Sequence, residues 1–132
     1  MATYNVDIVT PIREVKLENV SYLRCPGLDG SFGIMNSHRE GIFALSVGEI
    51  KVSQNGKDEY YASGGGFAEI LSSSVKLLVE SLEKSSEIDT SRANKSLERA
   101  QQRKNEQNSE LNDVRIEASL SRALNRLRVS KR

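Results

Sequence analysis

The chain has 132 residues, 28% of them charged, and a formal net charge of +1. No stretch approaches the roughly 20 apolar residues that span a bilayer, and the first residues lack the basic and apolar regions of a signal peptide. Cys25, the single cysteine, has no partner for an internal disulfide and is predicted to be a small buried residue. We therefore expect a cytoplasmic protein without a membrane span.

The near-neutral total hides an uneven distribution of charge. Residues 1–87 contain 8 Lys+Arg and 12 Asp+Glu, a net charge of −4. Residues 88–132 contain 11 Lys+Arg and 6 Asp+Glu, a net charge of +5. An acidic first part and a basic second part predict two modules with different partners.

The first 84 residues have the pattern of short strands. Val6 and Ile8 alternate with polar neighbours, which is the period of a half-buried strand. The pair Asn55-Gly56 predicts a two-residue hairpin turn, because both residues tolerate positive φ. The run Ser72–Ser74 predicts another turn between apolar segments. Short strands with frequent turns indicate an antiparallel sandwich or barrel.

The second module, residues 85–132, consists mostly of helix-forming residues and contains no glycine. Ser86 is predicted to cap a first helix, with Asp89 in its first turn. The polar run Asn105–Ser109 predicts a break, and Ser109 or Asn112 is expected to cap a second helix. Two amphipathic helices with a short connection predict an antiparallel αα-hairpin.

Each predicted helix carries a thin apolar stripe at helical spacing. The first stripe consists of Ala93, Leu97 and Ala100, and the second of Ile116, Leu120, Ala123, Leu124 and Leu127. Alanine contacts bury little area, so the helices are expected to separate at a cost of a few kcal/mol, the scale of a conformational switch.

Two other features invite a catalytic or ligand-binding interpretation, and both are better explained by structure. The run Ser63–Phe67 fits neither glycine-rich phosphate-binding motif and has predicted strands on both sides, so a bulge or a close strand crossing is expected. His38, the only histidine, has no predicted triad or ligand cluster around it. We predict neither catalysis nor a metal site there.

Each predicted helix carries a row of basic residues along one face. The row on the first helix lies away from its apolar stripe, and the row on the second helix lies beside its stripe. Arg92, Lys95, Arg99 and Arg103 form one row, and Arg115, Arg122 and Arg126 form the other. Solvation alone does not require arginine, yet six of these seven residues are arginine. Arginine presents a planar set of donors that suits carboxylate or phosphate. We expect an anionic partner: a polyphosphate ligand, an acidic protein surface, or both at different times.

Taken in order, several segments resemble the epsilon subunits of bacterial F-type ATP synthases, particularly the ATP-binding, Bacillus-like type. Residues Ile88–Ala93 match the I/L-D-x-x-R-A motif that opens the hairpin of those subunits, and Ser121–Leu127 resembles their second helix. Residues Asp29–Met35 with His38 resemble the G-x-x-G-I-L-x-x-H loop. The segments Val6–Pro11 and Ser63–Phe67 resemble the family's first strand and its S-G-G-F strand.

The sequence departs from the family pattern at two places in the loop. Ser31 stands where an acidic residue is common, and His38–Ile42 reads H-R-E-G-I in place of H-x-P-L-L. Both departures fall where the family contacts the membrane ring.

The resemblance implies an α+β fold: an antiparallel β-sandwich of about ten strands in residues 1–84, followed by an αα-hairpin in residues 85–132. It implies a non-catalytic regulatory subunit of a proton-translocating ATP synthase, on the cytoplasmic face of a bacterial membrane, which it contacts only indirectly. The partners implied are the gamma subunit, the ring of c subunits, and the alpha/beta catalytic head when the hairpin extends. Folded, the hairpin binds ATP without hydrolysing it; extended, it blocks ATP hydrolysis. No metal is required for the fold.

The resemblance also implies roles for individual residues. The ATP contacts are Glu83, Ile88, Asp89, Arg92, Ala93, Arg99, Arg122 and Arg126. The inhibitory contacts with the catalytic head are Arg115, Arg122 and Arg126. The contacts with the c ring or gamma subunit are Ser31, His38 and Arg39.

An alternative from another class is a nucleic-acid-binding protein with a basic helical tail. Binding to nucleic acid requires an extended positive surface, and the net negative charge of residues 1–87 argues against it. An independent enzyme is disfavoured because the sequence offers no convincing nucleophile–base pair or metal cluster.

Overall fold

The computed structural model describes residues 2–36, 38–106 and 110–132, with the side chains of residues 106 and 110–113 outside the description. Nine strands come first in these ranges, and two helices follow them. The strands are β1 Tyr4–Val9, β2 Glu14–Gly27, β3 Gly30–Ile34, β4 Gly41–Leu45, β5 Gly48–Gln54, β6 Lys57–Ser63, β7 Gly66–Ile70, β8 Ser74–Val79 and β9 Leu82–Lys84. A short 3-10 helix, Ser85–Glu87, leads to α1 Thr90–Glu106 and α2 Glu110–Ser130.

The strands form one sheet that folds over on itself. Their order is β1-β8-β7-β4-β2-β5-β6-β9, with β3 on β2 and a further pairing of β1 with β2. The predicted sandwich followed by a helical hairpin is confirmed, with nine described strands where about ten were expected. The pairings are antiparallel with one exception among the described strands, because β1 pairs with β8 in parallel. That pairing joins the first and last parts of the sandwich, which no local sequence pattern reveals.

The core of the sandwich follows the alternation in the sequence. Val6, Ile8, Leu23 and Leu77 are fully buried, because every second side chain of a strand points to the same face. Cys25 is also buried, as predicted, and burial raises the pKa of its thiol to about 12. A neutral, inaccessible thiol of this kind acts as an apolar core residue.

The predicted turn at Asn55-Gly56 is confirmed, and the glycine run shows a close approach of paired strands where a bulge or a strand crossing was expected. Asn55 and Gly56 have φ of 53° and 76° and connect β5 to β6, as a two-residue turn requires. Gly65 and Gly66 have φ of 92° and 152°, and a Cβ on Gly66 would collide with the carbonyl of Leu78. Gly66 lies opposite Val79, so the glycine allows the paired strands β7 and β8 to approach closely, and the run of glycines does not form a phosphate loop.

The helical hairpin begins differently from the prediction. Ser86 lies in the 3-10 helix and does not cap α1. Asp89 is the cap, since its Oδ1 accepts a hydrogen bond from the Arg92 backbone N–H at 3.0 Å. An aspartate carboxylate satisfies a free helix N–H and favours the positive end of the helix dipole, which explains why the helix begins after Asp89.

The connection between the helices is shorter than predicted. α1 continues through Glu106, so Asn105 is helical and the predicted break begins too early. Asn112 lies inside α2, which begins at Glu110, and therefore does not cap it. Ser109, the other proposed cap, lies outside the described residues.

We expect a chain ending at Lys84 to fold by itself. The main apolar core includes only residues between Tyr4 and Leu82, and the last strand, β9, pairs with β6. The hairpin contributes a separate small cluster, so its removal leaves the main core intact. Circular dichroism of residues 1–84 should show a β-sheet spectrum and a cooperative thermal transition. A spectrum of unfolded chain would contradict this division of the chain into two modules.

Candidate ligand site between the hairpin and the sandwich

The hairpin lies folded against one side of the sandwich. α2 contacts β5, β6 and the 3-10 helix, where Val129, Ile88 and Ala62 form a buried cluster beside Tyr60. The second module contributes Ile88 and Val129, and the sandwich contributes only Ala62 and the partly buried Tyr60. The contact is therefore small compared with the sandwich core.

The two helices pack against each other through an equally small apolar cluster. Ala100, Ile116 and Leu120 are buried there, with Leu97 packed beside them. Ala93 and Ala123 are also buried, as predicted. The predicted burial of Leu124 is wrong: its side chain is 50% exposed. The stripe of α2 shifts at this point from facing α1 to facing the sandwich, so Asn125 and Val129 are buried in its place.

A cleft of about 370 Å³ opens where α1, α2 and the sandwich meet. Its lining combines hydroxyl groups with charged side chains. The lining residues are Ser81, Glu83, Ser96, Ser119, Arg122, Ala123 and Arg126. The cleft thus takes residues from β9 and the turn before it and from both helices, and it exists only while the hairpin is folded.

Glu83 and Arg126 form the strongest polar contact in the cleft. Nη2 of Arg126 donates a hydrogen bond to Oε2 of Glu83 at 3.0 Å, and Nε lies 2.6 Å from Oε1 as a close charge contact. Both side chains are partly exposed, at 24% and 33%. This two-point pairing connects α2 to β9 across the cleft.

The arginine rows of both helices lie close to the serines that line the cleft. On α1, Arg92 and Arg99 lie within about 60° of Ser96 around the helix axis, one turn on either side of it. On α2, Arg122 and Arg126 lie within about 60° of Ser119, and Nη2 of Arg122 donates a hydrogen bond to the Ser119 hydroxyl at 3.3 Å. Each lining serine therefore marks the boundary between an arginine row and the apolar stripe.

The predicted ATP contacts occupy different kinds of position. Glu83, Arg122 and Arg126 line the cleft, whereas Arg92 and Arg99 are exposed on α1 and are not among its lining residues. The other three have structural roles in this conformation. Ile88 packs against Val129 in the small buried cluster, Asp89 caps α1, and Ala93 is a fully buried residue of α1.

Sequence reasoning missed the three serines of the cleft, Ser81, Ser96 and Ser119. Helical spacing contained a signal for two of them, because Ser96 and Ser119 separate an arginine row from an apolar stripe in the same way. Ser81 lies on a loop between strands and gave no such signal.

The three arginines of the predicted inhibitory contact differ in their exposure to solvent. Arg115 and Arg122 are exposed on α2. Arg126 is half-buried against Glu83. An acidic partner therefore finds two of these arginines accessible, but it gains the third only when α2 leaves the sandwich.

Ser31, His38 and Arg39 lie together at another end of the sandwich. All three line a cavity of about 600 Å³ whose other walls include Phe32, Phe43 and Ile70. The structure thus brings the predicted ring-contact or gamma-contact residues to one surface. That surface shares no lining residue with the cleft of the hairpin.

His38 has structural contacts at this end. Its ring packs edge-on against Tyr4 with 5.5 Å between centroids, and the Tyr4 hydroxyl donates a hydrogen bond to the carbonyl of Ile34. Burial raises the pKa of Tyr4 above its usual value. Nδ1 of His38 is buried without a hydrogen-bond partner among the described residues.

The described ranges, 2–36, 38–106 and 110–132, offer neither a metal site nor a membrane span. They contain no group of three or more His, Cys, Asp or Glu side chains placed to hold a metal ion. No helix in them has both the length and the apolar composition needed to cross a membrane.

Comparison with known proteins matches both modules. Residues 3–85 match the model of the ATP synthase delta/epsilon chain β-sandwich domain, and residues 86–131 match that of its long α-helix domain. The ATP synthase epsilon chain of Nitratidesulfovibrio vulgaris is 39% identical over 125 residues, which are 95% of this chain and 93% of that protein. The epsilon chain of Desulforamulus reducens is 37% identical over 98% of both chains.

A solved structure has the same fold. A chain in the cryo-EM structure of the Euglena gracilis mitochondrial ATP synthase, containing OSCP, F1 and the c ring, superposes with a TM-score of 0.79 at 22% identity. The match covers 92% of this chain and 77% of that one. The family match replaces the alternative of a nucleic-acid-binding protein. The chain belongs to the epsilon subunits of bacterial F-type ATP synthases, within the delta/epsilon family.

Proposed function

We propose that this chain, an epsilon subunit of the ATP synthase central stalk, regulates its complex through the hairpin. The folded hairpin binds ATP as a regulatory ligand, and the extended hairpin inhibits ATP hydrolysis. The observation that carries this proposal is a cleft between α1, α2 and the sandwich, lined by Arg122 and Arg126 of α2 and by Ser96 of α1, which exists only while the hairpin is folded.

The donor set of the cleft suits a nucleoside triphosphate. Arg122 and Arg126 line it, and Arg92 and Arg99 lie one helical turn from the lining residue Ser96. Arginine donates two parallel hydrogen bonds to phosphate, and charge-assisted bonds of this kind are the strong ones. The serine hydroxyls add uncharged donors and acceptors for ribose or phosphate oxygens.

Charge makes the closed state depend on the ligand. Arg122 and Arg126 line the cleft, Arg92 and Arg99 lie one helical turn from its lining residue Ser96, and Glu83 is the one carboxylate among the lining residues. ATP carries about four negative charges at neutral pH, which offset the mutual repulsion of the arginines. A ligand present at 100 times its dissociation constant, and bound only to the closed form, shifts the equilibrium by about 2.7 kcal/mol. The small apolar clusters of the hairpin are weak enough for such a shift to control them.

Inhibition uses the same arginines on a different partner. Once α2 leaves the sandwich, Arg126 loses Glu83 and joins Arg115 and Arg122 in facing outward. A row of three positive side chains on one helix face complements an acidic surface, for which we propose the alpha/beta catalytic head. ATP and the catalytic head thus compete for Arg122 and Arg126.

The sandwich serves assembly. We propose that its end around Ser31, His38 and Arg39 contacts the c ring or the gamma subunit, with exposed apolar side chains such as Ile42 and Met35 close by in the chain. Exposed apolar side chains of this kind are typical of surfaces that a partner covers. The chain then sits peripherally on the cytoplasmic face of the membrane of a proton-translocating synthase.

Deleting residues 105–132 from the assembled complex tests the inhibitory role. The deletion removes α2 with all three arginines of the proposed contact, while the main sandwich core stays complete. We expect ATP hydrolysis to rise severalfold at low ATP, where the intact hairpin is extended, and to change less at high ATP, where it is folded. A steady-state hydrolysis assay at both concentrations measures this.

A charge control separates the arginines from the bulk of the helix. The triple variant Arg115→Gln, Arg122→Gln and Arg126→Gln keeps the helix and should reproduce most of the rise. Lys131→Ala removes one positive charge outside the row and should hydrolyse ATP like the unchanged complex. Equal hydrolysis with and without residues 105–132, at both ATP concentrations, would contradict inhibition by the hairpin.

A further inference from the structure

The residue pair that follows α2, Lys131 and Arg132, includes a second polar contact with the sandwich, made by Arg132. Arg132, just beyond α2, donates two hydrogen bonds to Glu49 of β5, from Nε to Oε2 at 2.9 Å and from Nη2 to Oε1 at 2.8 Å. Its guanidinium also lies over the Tyr60 ring, 4.6 Å from the centroid. A two-point ion pair stacked on an aromatic face is the geometry that arginine forms best.

Glu49 has a second arginine partner besides Arg132. Arg24 of β2 donates to Oε1 of Glu49 at 2.7 Å, and the Glu49 side chain is only 12% exposed. When Arg132 leaves, Glu49 keeps Arg24 as its partner, so no unpaired buried charge remains. The contact can therefore open and close at modest cost.

Two neighbouring contacts also hold the end of α2 against the sandwich. The Asn125 side-chain amide donates to the carbonyl of Gly48 at 2.9 Å, and Asn125 is 3% exposed. Tyr60 packs against the buried cluster of Ala62, Ile88 and Val129. The stacked arginine and the apolar cluster thus share one aromatic ring.

We propose that Arg132, Glu49 and Tyr60 form a nucleotide-independent latch that holds the end of α2 against the sandwich. None of these three residues lines the cleft proposed for ATP. The latch keeps the hairpin partly docked before ATP arrives, so ATP completes a closure that has already begun. The role of the latch in regulation rests on the proposed function. The latch itself rests only on the contacts of Arg132, Glu49 and Tyr60.

Amide hydrogen exchange of the full chain without nucleotide tests the latch. We expect the amides of residues 125–130 to exchange roughly fivefold faster in Arg132→Ala and in Glu49→Gln, the upper end for a partly exposed ion pair. The double variant should exchange no faster than either single variant, because both remove the same contact. Raising the salt concentration should speed exchange in the unchanged chain and have little further effect in the variants.

Matched variants control for charge and shape. Lys131→Ala removes the adjacent positive charge, whose exposed side chain is not part of the latch, and should exchange like the unchanged chain. Tyr60→Phe keeps the ring and should also behave like the unchanged chain, while Tyr60→Leu should exchange faster. Exchange in Arg132→Ala at the rate of Lys131→Ala would overturn the latch.

The same variants separate the latch from the nucleotide site. Arg132→Ala should weaken ATP binding by about the factor by which it speeds exchange, since ATP must then close the hairpin unaided. Faster exchange in a chain that shows no ATP binding at all would support the latch and overturn the proposed ATP site.

Discussion

Gly66→Ala should severely destabilise the sandwich, because β7 and β8 approach each other too closely at residue 66 to admit a side chain. Gly66 has φ of 152°, a region that alanine rarely adopts, and its added Cβ would meet the carbonyl of Leu78 and lie 2.9 Å from the Cα of Val79. Both obstacles are backbone atoms of β8, so the neighbouring strand must move. We expect a loss of about 3 kcal/mol or more in the free energy of unfolding, measured by urea denaturation.

Gly56→Ala provides the matched control. Gly56 also has positive φ, at 76°, but an added Cβ would meet nothing within 4 Å. The backbone conformation alone should then cost about 1 kcal/mol. Equal losses of unfolding free energy in Gly66→Ala and Gly56→Ala would mean that the positive φ, and not the close approach of β7 and β8, explains the glycine at residue 66.

Arg92→Ala should weaken ATP binding about tenfold, the loss expected for one charge-assisted hydrogen bond. Arg92 is the cleanest residue for this test. Its side chain is exposed and forms no ion pair within the described part of the chain, so its removal disturbs no packing. Arg126→Ala should weaken binding too, but that variant also releases Glu83 and loosens the hairpin.

Two controls distinguish specific binding from general charge attraction. Lys131→Ala changes the net charge by the same amount as Arg92→Ala, away from the cleft, and should leave ATP affinity unchanged. Circular dichroism of both variants should match that of the unchanged chain. If both variants lose affinity equally, ATP is attracted by net charge alone and the cleft is not its site.

Local signals in the sequence predicted most of the sandwich. Asn55-Gly56 gave the turn, because few other pairs of residues accept positive φ twice in succession. The alternation at Val6 and Ile8 gave the buried face. The parallel pairing of β1 with β8 was missed, because it joins segments about 70 residues apart without a local signature.

The start of α1 and the buried face of α2 were harder to predict from the sequence, because more than one residue suits each position. Ser86 and Asp89 both suit a helix cap, and the sequence favoured Ser86, with Asp89 in the first turn. In the structure Asp89 is the cap. Leu124 follows the helical stripe, but the end of α2 faces the sandwich, so Asn125 is buried there and bonds the Gly48 carbonyl. Tertiary packing overrides periodicity at this position.

The charged contacts of the hairpin were predictable in type but not in detail. The arginine rows at Arg92, Arg99, Arg122 and Arg126 indicated an anionic partner. Arg122 and Arg126 line the cleft, whereas Arg92 and Arg99 lie one helical turn from its lining residue Ser96. The pairing of Arg126 with Glu83, and of Arg132 with Glu49, depends on the fold of the hairpin onto the sandwich. No spacing along the chain joins residues from modules so far apart.

Isothermal titration calorimetry of the full chain with ATP tests the central claim most directly. The same titration into a chain ending at Lys84, which keeps the sandwich core but lacks both helices, is its control. We predict saturable binding to one site in the full chain, no heat of binding in the shorter chain, and no release of phosphate in either. The absence of a saturable heat in the full chain at millimolar ATP, or equal binding by both chains, would contradict a nucleotide site formed by the folded hairpin.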